Sequence, residues 1–310
     1  MSDRFVTVMG SYVTDLAFSA DKLPAWGETY MGRTFRVGPG GKGSNQAVAA
    51  ARAGARVGII SKVGRDLFGD MARQTWQREG IDTQYVFATD SPTGAASIVV
   101  DARTGENSIV VVPGACYELN PDEVAQSQPF IAQSAIFVTQ LELALATVEF
   151  GLQMATSMGV PTILNPAPAC ALPESIFHSC DYLTPNETEA EAVTGVRVVS
   201  IKDAEHAADV LLARGVRNVV ITMGAQGAFV KNARVREHVQ AFRAGDVVDT
   251  TGAGDAFTGG LAVALAEGRD IAEAVRFGCA VAGISVTRSG TAPSMPSRHE
   301  VDALLSEIQH

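Results

Sequence analysis

The sequence is poor in the residues that build disulfide frameworks and zinc sites. Its 310 residues include four cysteines and five histidines, with no CxxC pair and no Cys/His cluster. Both kinds of site need closely spaced or paired cysteines, so the sequence predicts neither. We therefore expect reduced, mostly buried thiols in a cytoplasmic protein. The cysteines are Cys116, Cys170, Cys180 and Cys279.

Positive charge and long apolar runs are also scarce. The chain has 24 Lys and Arg residues against 34 Asp and Glu residues, a formal net charge of −10. Nucleic acids and anionic membranes are bound through clustered Lys and Arg, so we expect neither as a partner. The longest apolar run, about residues 277–286, is too short to cross a bilayer. Residues 1–4 are expected to lead into a strand and not to form a signal peptide.

Short apolar runs alternate with longer amphipathic or alanine-rich segments along most of the chain. This alternation predicts an α/β fold with a parallel sheet covered by helices on both faces. The expected strands are 5–9, 57–63, 135–139, 161–164 and 219–222. The expected helices are 44–53, 68–79, 145–158, 186–194, 204–214, 255–267 and 271–285.

Two regions do not follow the alternation. Residues 30–37 are typical of a strand with no helix after it, and residues 93–101 and 107–113 are typical of a hairpin around 102–106. We expect these strands to form a small sheet that stands off the main one, either as a lid or as an ordinary edge hairpin. The unpaired edges of such a sheet offer a surface that a second subunit can cover.

Residues 249–257, with the sequence DTTGAGDAF, combine a glycine turn with the start of an apolar helix. Unpaired N–H groups at a helix start attract anions, and Gly252 and Gly254 allow the backbone to approach a phosphate closely. Asp255 adds a carboxylate that is able to accept a proton. This combination suits phosphoryl transfer to a hydroxyl. A favourable interaction with the helix dipole explains Asp255 equally well at this stage.

A second glycine-rich segment, residues 38–46, has the sequence GPGGKGSNQ and contains GxGxxG. It is not a dinucleotide fingerprint, because the preceding strand belongs to the hairpin-like sheet and the next strand ends without a ribose-binding acid. It is not a P-loop, because Gly43 follows Lys42. We interpret it as a helix entry where Lys42 and Asn45 surround a polar ligand. A plain entry turn would explain the glycines but not these two side chains together.

Other polar residues follow predicted strands at their carboxyl ends, where ligands bind on parallel sheets. The turn at 222–227, TMGAQG, closes one strand, and Asp15 and Glu142 each follow an apolar run. These residues are consistent with a ligand-binding site at the edge of the sheet. They are equally consistent with a tight turn at 222–227 and with two solvated loop acids, Asp15 and Glu142. Asn186 and Glu189 have the spacing of a capping box. That spacing favours a structural role as much as a role of Glu189 at a Mg²⁺-bound water or phosphate.

Together these segments resemble the PfkB-type carbohydrate kinases. Residues 40–47 (GGKGSNQA) match the family's N-terminal signature, and residues 249–257 match its C-terminal signature. The sequences NPAP, TPNETE and VTRSG, at 165–168, 184–189 and 286–290, are similar to the ribokinase branch. The likeness extends over about residues 4–305. Two signatures in order with three further segments are far more specific than one glycine motif.

The resemblance implies a three-layer α/β sandwich in which a mostly parallel central sheet lies between helices. It implies a single kinase domain over 1–310, with the strands of a small β-sheet lid inserted at about 15–38 and 93–115. That lid often builds a homodimer in the family. The implied reaction is ATP-dependent phosphorylation of a pentose at its 5-hydroxyl, with Mg²⁺ and an activating K⁺.

The resemblance also implies roles for particular residues. Asp255 is the expected base, beside an anion hole formed by Gly252, Ala253 and Gly254. The expected sugar ligands are Asp15, Gly41, Lys42, Asn45, Glu142 and Asp255. The expected ATP contacts are Asn186, Thr222, Gly224, Gly227, Gly254 and, near the adenine, Cys279. Glu189 is expected to act on Mg²⁺ through water. The expected K⁺ site, built partly from backbone carbonyls, comprises Asp249, Thr251, Ser285, Arg288, Gly290 and Ser294.

One position departs from the ribokinase pattern. Ribokinases carry an asparagine two residues before the sugar-binding acid, whereas this chain has Val13, and 2-deoxyribose kinases resemble it there. A site that hydrogen-bonds a substrate hydroxyl can reject the analogue without that hydroxyl by about 10⁴–10⁵-fold. A site without such a hydrogen bond loses this discrimination between the sugar and its deoxy analogue. Val13 is equally consistent with simple packing. We expect D-ribose as the first candidate substrate, followed by 2-deoxyribose or another sugar or nucleoside. Two alternative functions belong to other classes of protein, a non-catalytic sugar-binding regulator and a dinucleotide-dependent oxidoreductase.

Overall fold

Thirteen strands form two separate sheets within residues 5–104 and 107–307, the part of the chain that the computed structural model describes. In chain order they are β1 (Phe5–Met9), β2 (Val13–Ala20), β3 (Thr34–Gly40), β4 (Arg56–Gly64), β5 (Asp82–Thr89), β6 (Thr93–Asp101), β7 (Asn107–Gly114), β8 (Ile136–Thr139), β9 (Thr162–Leu164), β10 (Tyr182–Leu183), β11 (Asn218–Thr222), β12 (Ala228–Lys231) and β13 (Arg236–Val239).

The larger sheet has the order β13-β12-β11-β10-β9-β8-β1-β4-β5. Every neighbouring pair from β5 through β11 is parallel, and β12 and β13 are added antiparallel at one edge. Strand β1 is buried along its whole length, as expected for a parallel strand covered on both faces. The predicted mostly parallel central sheet is confirmed.

Helices cover both faces of this sheet. They are α1 (Lys42–Arg52), α2 (Leu67–Arg78), α3 (Pro121–Gln126), α4 (Gln128–Ala132), α5 (Leu145–Ser157), α6 (Glu174–His178), α7 (Glu187–Thr194), α8 (Ile201–Ala213), α9 (Ala253–Ala266), α10 (Ile271–Ser285) and α11 (Arg298–Glu307). The side chains of β1 alternate between two cores: Val6 and Val8 pack with α1, α9 and α10, whereas Phe5 and Met9 pack with α5 and α8. The predicted three-layer α/β sandwich is confirmed.

The smaller sheet has the order β3-β2-β6-β7 and stands apart from the larger one. β2 pairs antiparallel with β3 and parallel with β6, and β6 pairs antiparallel with β7. The predicted strand at 93–101 is confirmed, whereas the strand predicted at 30–37 is shifted and spans Thr34–Gly40. Residues 105–106 of the predicted turn at 102–106 lie outside the described residues, as do residues 1–4.

Strands β5, β10 and β13 were not predicted. The strand β2, expected only as part of the lid strands at about 15–38, changes the position expected for Asp15. Strand β1 ends at Met9, and the chain turns back into the smaller sheet, where Asp15 lies inside β2. The prediction that Asp15 follows an apolar strand at the edge of the main sheet is therefore wrong. In the described part of the chain, no helix combines the length and apolar character needed to cross a membrane.

Candidate active site

The expected site residues lie near the carboxyl ends of the parallel strands. Glu142 follows β8, Asn186 follows β10, and Ser11, which was not among the expected residues, follows β1. Helices α1 and α9 pack against each other, and hydrogen bonds join α1 both to this edge of the sheet and to α9. The two glycine-rich segments are therefore neighbours in space. Because ligands bind at this edge of open α/β sheets, we assign the candidate active site to it.

Helix α9 begins with backbone groups suited to binding an anion. Gly252 caps it in the left-handed region with φ of 80°. Among the described residues, the N–H groups of Gly252 and Gly254 have no backbone or side-chain acceptor within hydrogen-bond distance, whereas Ala253 N–H donates to Thr250 O at 3.2 Å. A Cβ at Gly254 would meet nothing within 4 Å. Two of the three N–H groups expected to form the anion hole are therefore free to bind an anion, and the space beside Gly254 is open.

Asp255 is buried and held by amides of α1. Its side chain belongs to a residue only 5% exposed. Asn45 Nδ2 donates to Oδ2 at 3.1 Å, and Gln46 Nε2 donates to Oδ1 at 3.0 Å. Burial raises the pKa of Asp255, while Lys42 and the two amides oppose this increase. Asp255 therefore combines raised basicity with a fixed orientation, which a dipole-complementing acid at an exposed helix start would not need.

Lys42 and Glu142 lie close enough to Asp255 to affect its charge. Glu142 Oε2 accepts a hydrogen bond from Lys42 N at 2.9 Å and another from Ser11 Oγ. Burial lowers the pKa of Lys42, but the carboxylates of Asp255 and Glu142 outweigh it, so that the pKa is raised overall. The ammonium group therefore stays charged among acids, in a setting suited to polar and anionic ligands.

Asp15 enters the site from β2 of the smaller sheet. The single hydroxyl proton of Thr291 is shared between two acceptors, Asp15 Oδ2 at 3.3 Å from Oγ1 and Pro39 O at 3.0 Å. Burial raises the pKa of Asp15 to about 6, and the nearby Glu142 carboxylate adds to this increase. A Cβ at Gly40 would come within 2.4 Å of Asp15 Oδ1, so glycine is required there for the carboxylate to lie against β3.

The residues expected to contact ATP gather at the ends of β10 and β11. An isolated β-bridge joins Asn186 to Thr222. Gly224 and Gly227, with φ of 50° and 91°, form the tight turn after Thr222. Cys279 is buried in α10, which packs against β12 and β13. The expected residues of the turn are therefore brought together, while Cys279 lies on a neighbouring helix.

Asn186 and Glu189 form the capping box predicted from their spacing. Glu189 N donates to Asn186 Oδ1 at 2.8 Å, and Asn186 N donates to Glu189 Oε2 at 2.9 Å. Glu189 is buried, and burial raises its pKa. Its carboxylate also lies close enough to Lys42 and Asp255 to affect their charges. The capping role therefore does not remove Glu189 from the site.

The residues expected at a K⁺ site connect the start of α9 with the loop after α10. Asp249 accepts hydrogen bonds from Thr251 N at 2.9 Å and from Gly290 N at 3.0 Å. Burial opposes ionisation of Asp249, but these amides outweigh it and lower its pKa. Arg288 pairs with Glu300, so its side chain is engaged elsewhere. Ser285 and Ser294 are both buried nearby in the chain, at the end of α10 and in the short helix at 292–294.

The sequence indicated no role for five residues that the structure brings to the site: Ser11, Gln46, Gln140, Asn165 and Thr291. Gln46 contacts Asp255 and Asn165, and Gln140 contacts Gln46. Thr291 contacts Asp15. Gln46 and Asn165 lie within quoted family segments, which was a usable signal, whereas nothing in the sequence marked Gln140 or Thr291. In the described ranges, no three His, Cys, Asp or Glu side chains are grouped to hold a metal ion.

A buried acid beside free helix-start amides and a lysine among carboxylates is an arrangement suited to phosphoryl transfer. The chain belongs to the pfkB family of carbohydrate kinases, whose profile matches residues 3–298. The expected family, fold and class of enzyme, a sugar kinase, are confirmed.

Similar proteins cover nearly the whole chain. Ribokinase of Haemophilus influenzae is 43% identical over 298 residues, which are 96% of this chain and 97% of that protein. Deoxyribokinase of Salmonella typhi is 37% identical over 303 residues, 97% of this chain and 98% of that protein. The structure of Arabidopsis thaliana ribokinase complexed with ribose and ATP has a TM-score of 0.90 at 30% identity and covers 98% of this chain and 99% of that one.

Proposed function

We propose that the protein phosphorylates D-ribose at the 5-hydroxyl with MgATP. The observation that carries the proposal is Asp255, a buried carboxylate fixed by two amides beside the open N–H groups of Gly252 and Gly254. The 43% identity to a ribokinase across nearly the whole chain supports ribose as the sugar. We treat residues 1–310 as one kinase domain with the smaller sheet as its lid.

The proposed chemistry is a direct transfer. Asp255 accepts the proton of the sugar hydroxyl, whose oxygen forms a bond to the γ-phosphorus of ATP. The bond from that phosphorus to the β–γ bridging oxygen breaks, and ADP leaves with the electron pair. The N–H groups of Gly252 and Gly254 stabilise negative charge on the transferred group. Ala253 joins them if its hydrogen bond to Thr250 O opens.

We assign the remaining polar residues to the two substrates. Asp15, Gly41, Lys42, Asn45 and Glu142 hold the sugar hydroxyls through their carboxylate, amide, ammonium and backbone groups. Asn45 is suited to this because its Oδ1 is buried and has no hydrogen-bond partner in the described residues. Asn186, Thr222, Gly224 and Gly227 contact the phosphates and ribose of ATP, with Cys279 on the adenine side.

The carboxylate of Glu189 fits an indirect role at Mg²⁺. Mg²⁺ in kinases is usually held by one or two carboxylates, by water and by the phosphates themselves. Glu189 is buried and within electrostatic reach of Lys42 and Asp255, so it is suited to contact a metal-bound water. When bound, the ion neutralises charge on the phosphates.

The loop after α10 fits a K⁺ site. The Asp249 carboxylate provides a negative charge, and within the described residues the carbonyl oxygens of Asp249, Thr251, Gly290 and Ser294 accept no backbone hydrogen bond. Carbonyl oxygens of this kind suit a monovalent cation, because the ion needs several neutral oxygen ligands. Ser285 and Arg288 would contribute through their backbones, although the Ser285 carbonyl also accepts a hydrogen bond from Arg288 N at 3.1 Å. An ion there would fix the loop that precedes the anion hole.

A second candidate substrate is 2-deoxyribose. Val13 is 3% exposed on β2, two residues before Asp15, and its side chain has no group for a 2-hydroxyl. The deoxyribokinase that is 37% identical supports this alternative. A non-catalytic regulator is disfavoured, because Asp255 and the helix-start amides are intact.

We propose that the protein is a homodimer and that it is cytoplasmic. The smaller sheet supports the homodimer. Its surface exposes large apolar side chains, including Phe35 at 56% and Val110 at 65%. Exposed apolar patches of this kind mark protein contacts more often than free surface. A second copy covering this face of the sheet would bury them.

The test is ADP release measured with a panel of sugars. We expect MgATP-dependent turnover with ribose, slower turnover with 2-deoxyribose and much slower turnover with hexoses. ATP without sugar and sugar without ATP are the controls. Faster turnover with 2-deoxyribose than with ribose would make 2-deoxyribose the preferred substrate. Absence of sugar-dependent ADP release with every pentose would refute the proposed reaction.

A further inference from the structure

Three buried side-chain amides form a continuous hydrogen-bonded chain that ends on Asp255. Gln140 Nε2 donates to Gln46 Oε1 at 2.6 Å, and Gln46 Nε2 donates both to Asp255 Oδ1 at 3.0 Å and to Asn165 Oδ1 at 3.1 Å. Asn165 Nδ2 donates to Thr184 O at 3.0 Å. Gln46 and Gln140 are 0% exposed and Asn165 is 6% exposed. The chain therefore lies wholly inside the protein.

Gln46 has no polar atom left for a substrate. Its amide nitrogen carries two N–H donors, which serve Asp255 and Asn165, and its oxygen accepts from Gln140. A glutamine amide has this capacity and little more. Asn45 differs, because its Oδ1 has no partner in the described residues and remains available to a ligand. Gln46 consequently acts on the reaction only through Asp255.

The partners of Gln46 determine which way its amide faces. Rotation of the amide by 180° would turn its oxygen toward the Asp255 carboxylate and the Asn165 oxygen, and its N–H groups toward the Gln140 N–H group. The contacts with Asp255 and Asn165 would become repulsive, and the Gln140 amide would have to rotate as well to keep its own contact. Asn165 follows β9, and its Nδ2 donates to Thr184 O, so its Oδ1 is held toward Gln46. Gln140 follows β8 and adds the third contact through its Nε2, while its own Oε1 has no partner among the described residues. The Asn165 amide thereby fixes the Gln46 donor that points at the carboxylate.

The electrostatic surroundings make this donor important. The Asp255 carboxylate is buried, and the neighbouring carboxylates of Asp15, Glu142 and Glu189 disfavour its charge, whereas Lys42, Asn45 and Gln46 favour it. A hydrogen bond to a charged group in a low-dielectric site is worth more than one in water. Loss of the Gln46 donor therefore favours the protonated form, which is unable to act as a base.

We propose that Gln46 is the positioning residue of the base Asp255 and that Gln140 and Asn165 fix the orientation of its amide. The inference rests on the proposed role of Asp255. It assigns the buried chain a purpose beyond core packing: it keeps the carboxylate ionised and aimed along one direction. Removing the donor should act on the transfer step and on its pH dependence more than on sugar binding.

The test compares Gln46→Met, Gln140→Met and Thr139→Val. Methionine keeps the length and approximate volume of glutamine but has no amide. Thr139→Val is the matched control, because Thr139 is 0% exposed, adjoins Gln140 and has a hydroxyl without a partner among the described residues. For each variant, kcat and the sugar KM are measured against pH, together with Tm.

For Gln46→Met we expect the pH of half-maximal kcat on the acid side to rise by about one unit, because one hydrogen bond to a charged group is lost. The sugar KM should change by less than about threefold, since the transition state loses more than the ground state. Gln140→Met, which does not touch Asp255, should shift the profile in the same direction by less. Thr139→Val should leave the profile in place.

Two results would overturn the inference. One is an equal fall of kcat at all pH values with an unmoved acid side in both methionine variants, which indicates a structural role. The other is an equal shift in Thr139→Val. Asp255→Asn measured in parallel separates this failure from that of the proposed function: if Asp255→Asn stays active, the proposed base is wrong, and if it is inactive while the methionine profiles do not move, only the role of Gln46 is wrong.

Discussion

At the scale of single residues, the site places several ionisable groups where water does not solvate them fully. Asp15, Glu189 and Asp255 all have pKa values raised by burial, and the pKa of Lys42 is raised despite burial because carboxylates surround it. Such perturbed groups cluster at functional sites more often than in ordinary cores. The arrangement raises the basicity of all three acids above that of the same groups in water.

The identity of residue 13 should decide how strongly ribose is preferred over 2-deoxyribose. Val13→Asn places an amide two residues before Asp15, where only a ligand hydroxyl is expected to satisfy it. We predict that the ratio of kcat/KM for ribose to that for 2-deoxyribose rises about tenfold, the value of one hydrogen bond. Val13→Ala is the control for lost packing, and an unchanged ratio in Val13→Asn would show that position 13 does not contact the 2-hydroxyl.

Sugar binding should weaken at acidic pH because of Asp15. Its pKa of about 6 lies above the usual value of 3.8, so the carboxylate takes up a proton as the pH falls through 6. The protonated group accepts hydrogen bonds from sugar hydroxyls poorly. We predict a sugar KM that is constant above pH 7 and rises about tenfold for each pH unit well below 6. A KM that does not change between pH 5 and 8 would contradict this role.

At the scale of elements, two helix starts and one loop build the site. Helices α1 and α9 begin at glycines in the positive-φ region, Gly41 and Gly252, and the hydrogen bond from Asn45 to Asp255 joins their first turns. Thr291, from the loop after α10, hydrogen-bonds Asp15 and the Pro39 carbonyl in the smaller sheet. The loop thereby connects the helical layer with the lid.

Gly252→Ala should damage catalysis beyond its cost in stability. Alanine at φ of 80° costs about 1–2 kcal/mol, and its Cβ would lie 3.3 Å from Thr291 Cα. We predict that kcat falls about 10²-fold because the anion-hole amide moves. Gly268→Ala is the matched control, since Gly268 has φ of 79° and nothing within 4 Å of its Cβ position. Equal kcat in the two variants would contradict the anion-hole role.

Thr291→Val should shift the pH dependence of sugar binding. The Thr291 hydroxyl lowers the pKa of Asp15 by donating to its carboxylate, against the larger effect of burial. Without that donor the pKa rises, so the sugar KM should begin to increase at a higher pH. Thr291→Ser keeps the hydroxyl and should restore the profile of the unmodified protein. A profile that differs in Ser as much as in Val would indicate lost packing instead.

At the scale of the whole molecule, local signals predicted the repeating parts of the fold well. Apolar runs and glycine stops located β1, α1 and α9 within two residues, because these segments are buried as units. Strand β5 was missed, since it is an edge strand with alternating and mostly partial burial. The amide chain was also missed: Gln46 meets Gln140 and Asn165 across 94 and 119 positions, and only tertiary packing brings them together.

The exposed apolar face of the smaller sheet leads to a prediction about assembly. Val110→Lys replaces a 65% exposed side chain on β7 with a charge, which should prevent a second copy from covering that face. We expect a dimer to become a monomer in analytical ultracentrifugation. Val199→Lys is the matched control, because Val199 is also 65% exposed and lies outside the smaller sheet. A monomeric unmodified protein would contradict the proposed interface.

The central claim is that Asp255 removes the proton from the sugar hydroxyl during phosphoryl transfer. Asp255→Asn keeps the size of the side chain but removes its basicity. We predict that kcat falls about 10²–10⁴-fold, while the Kd values for ribose and ATP, measured by calorimetry, stay within about threefold because uniform binding is retained. A variant that binds both substrates and keeps near-normal kcat would contradict the account.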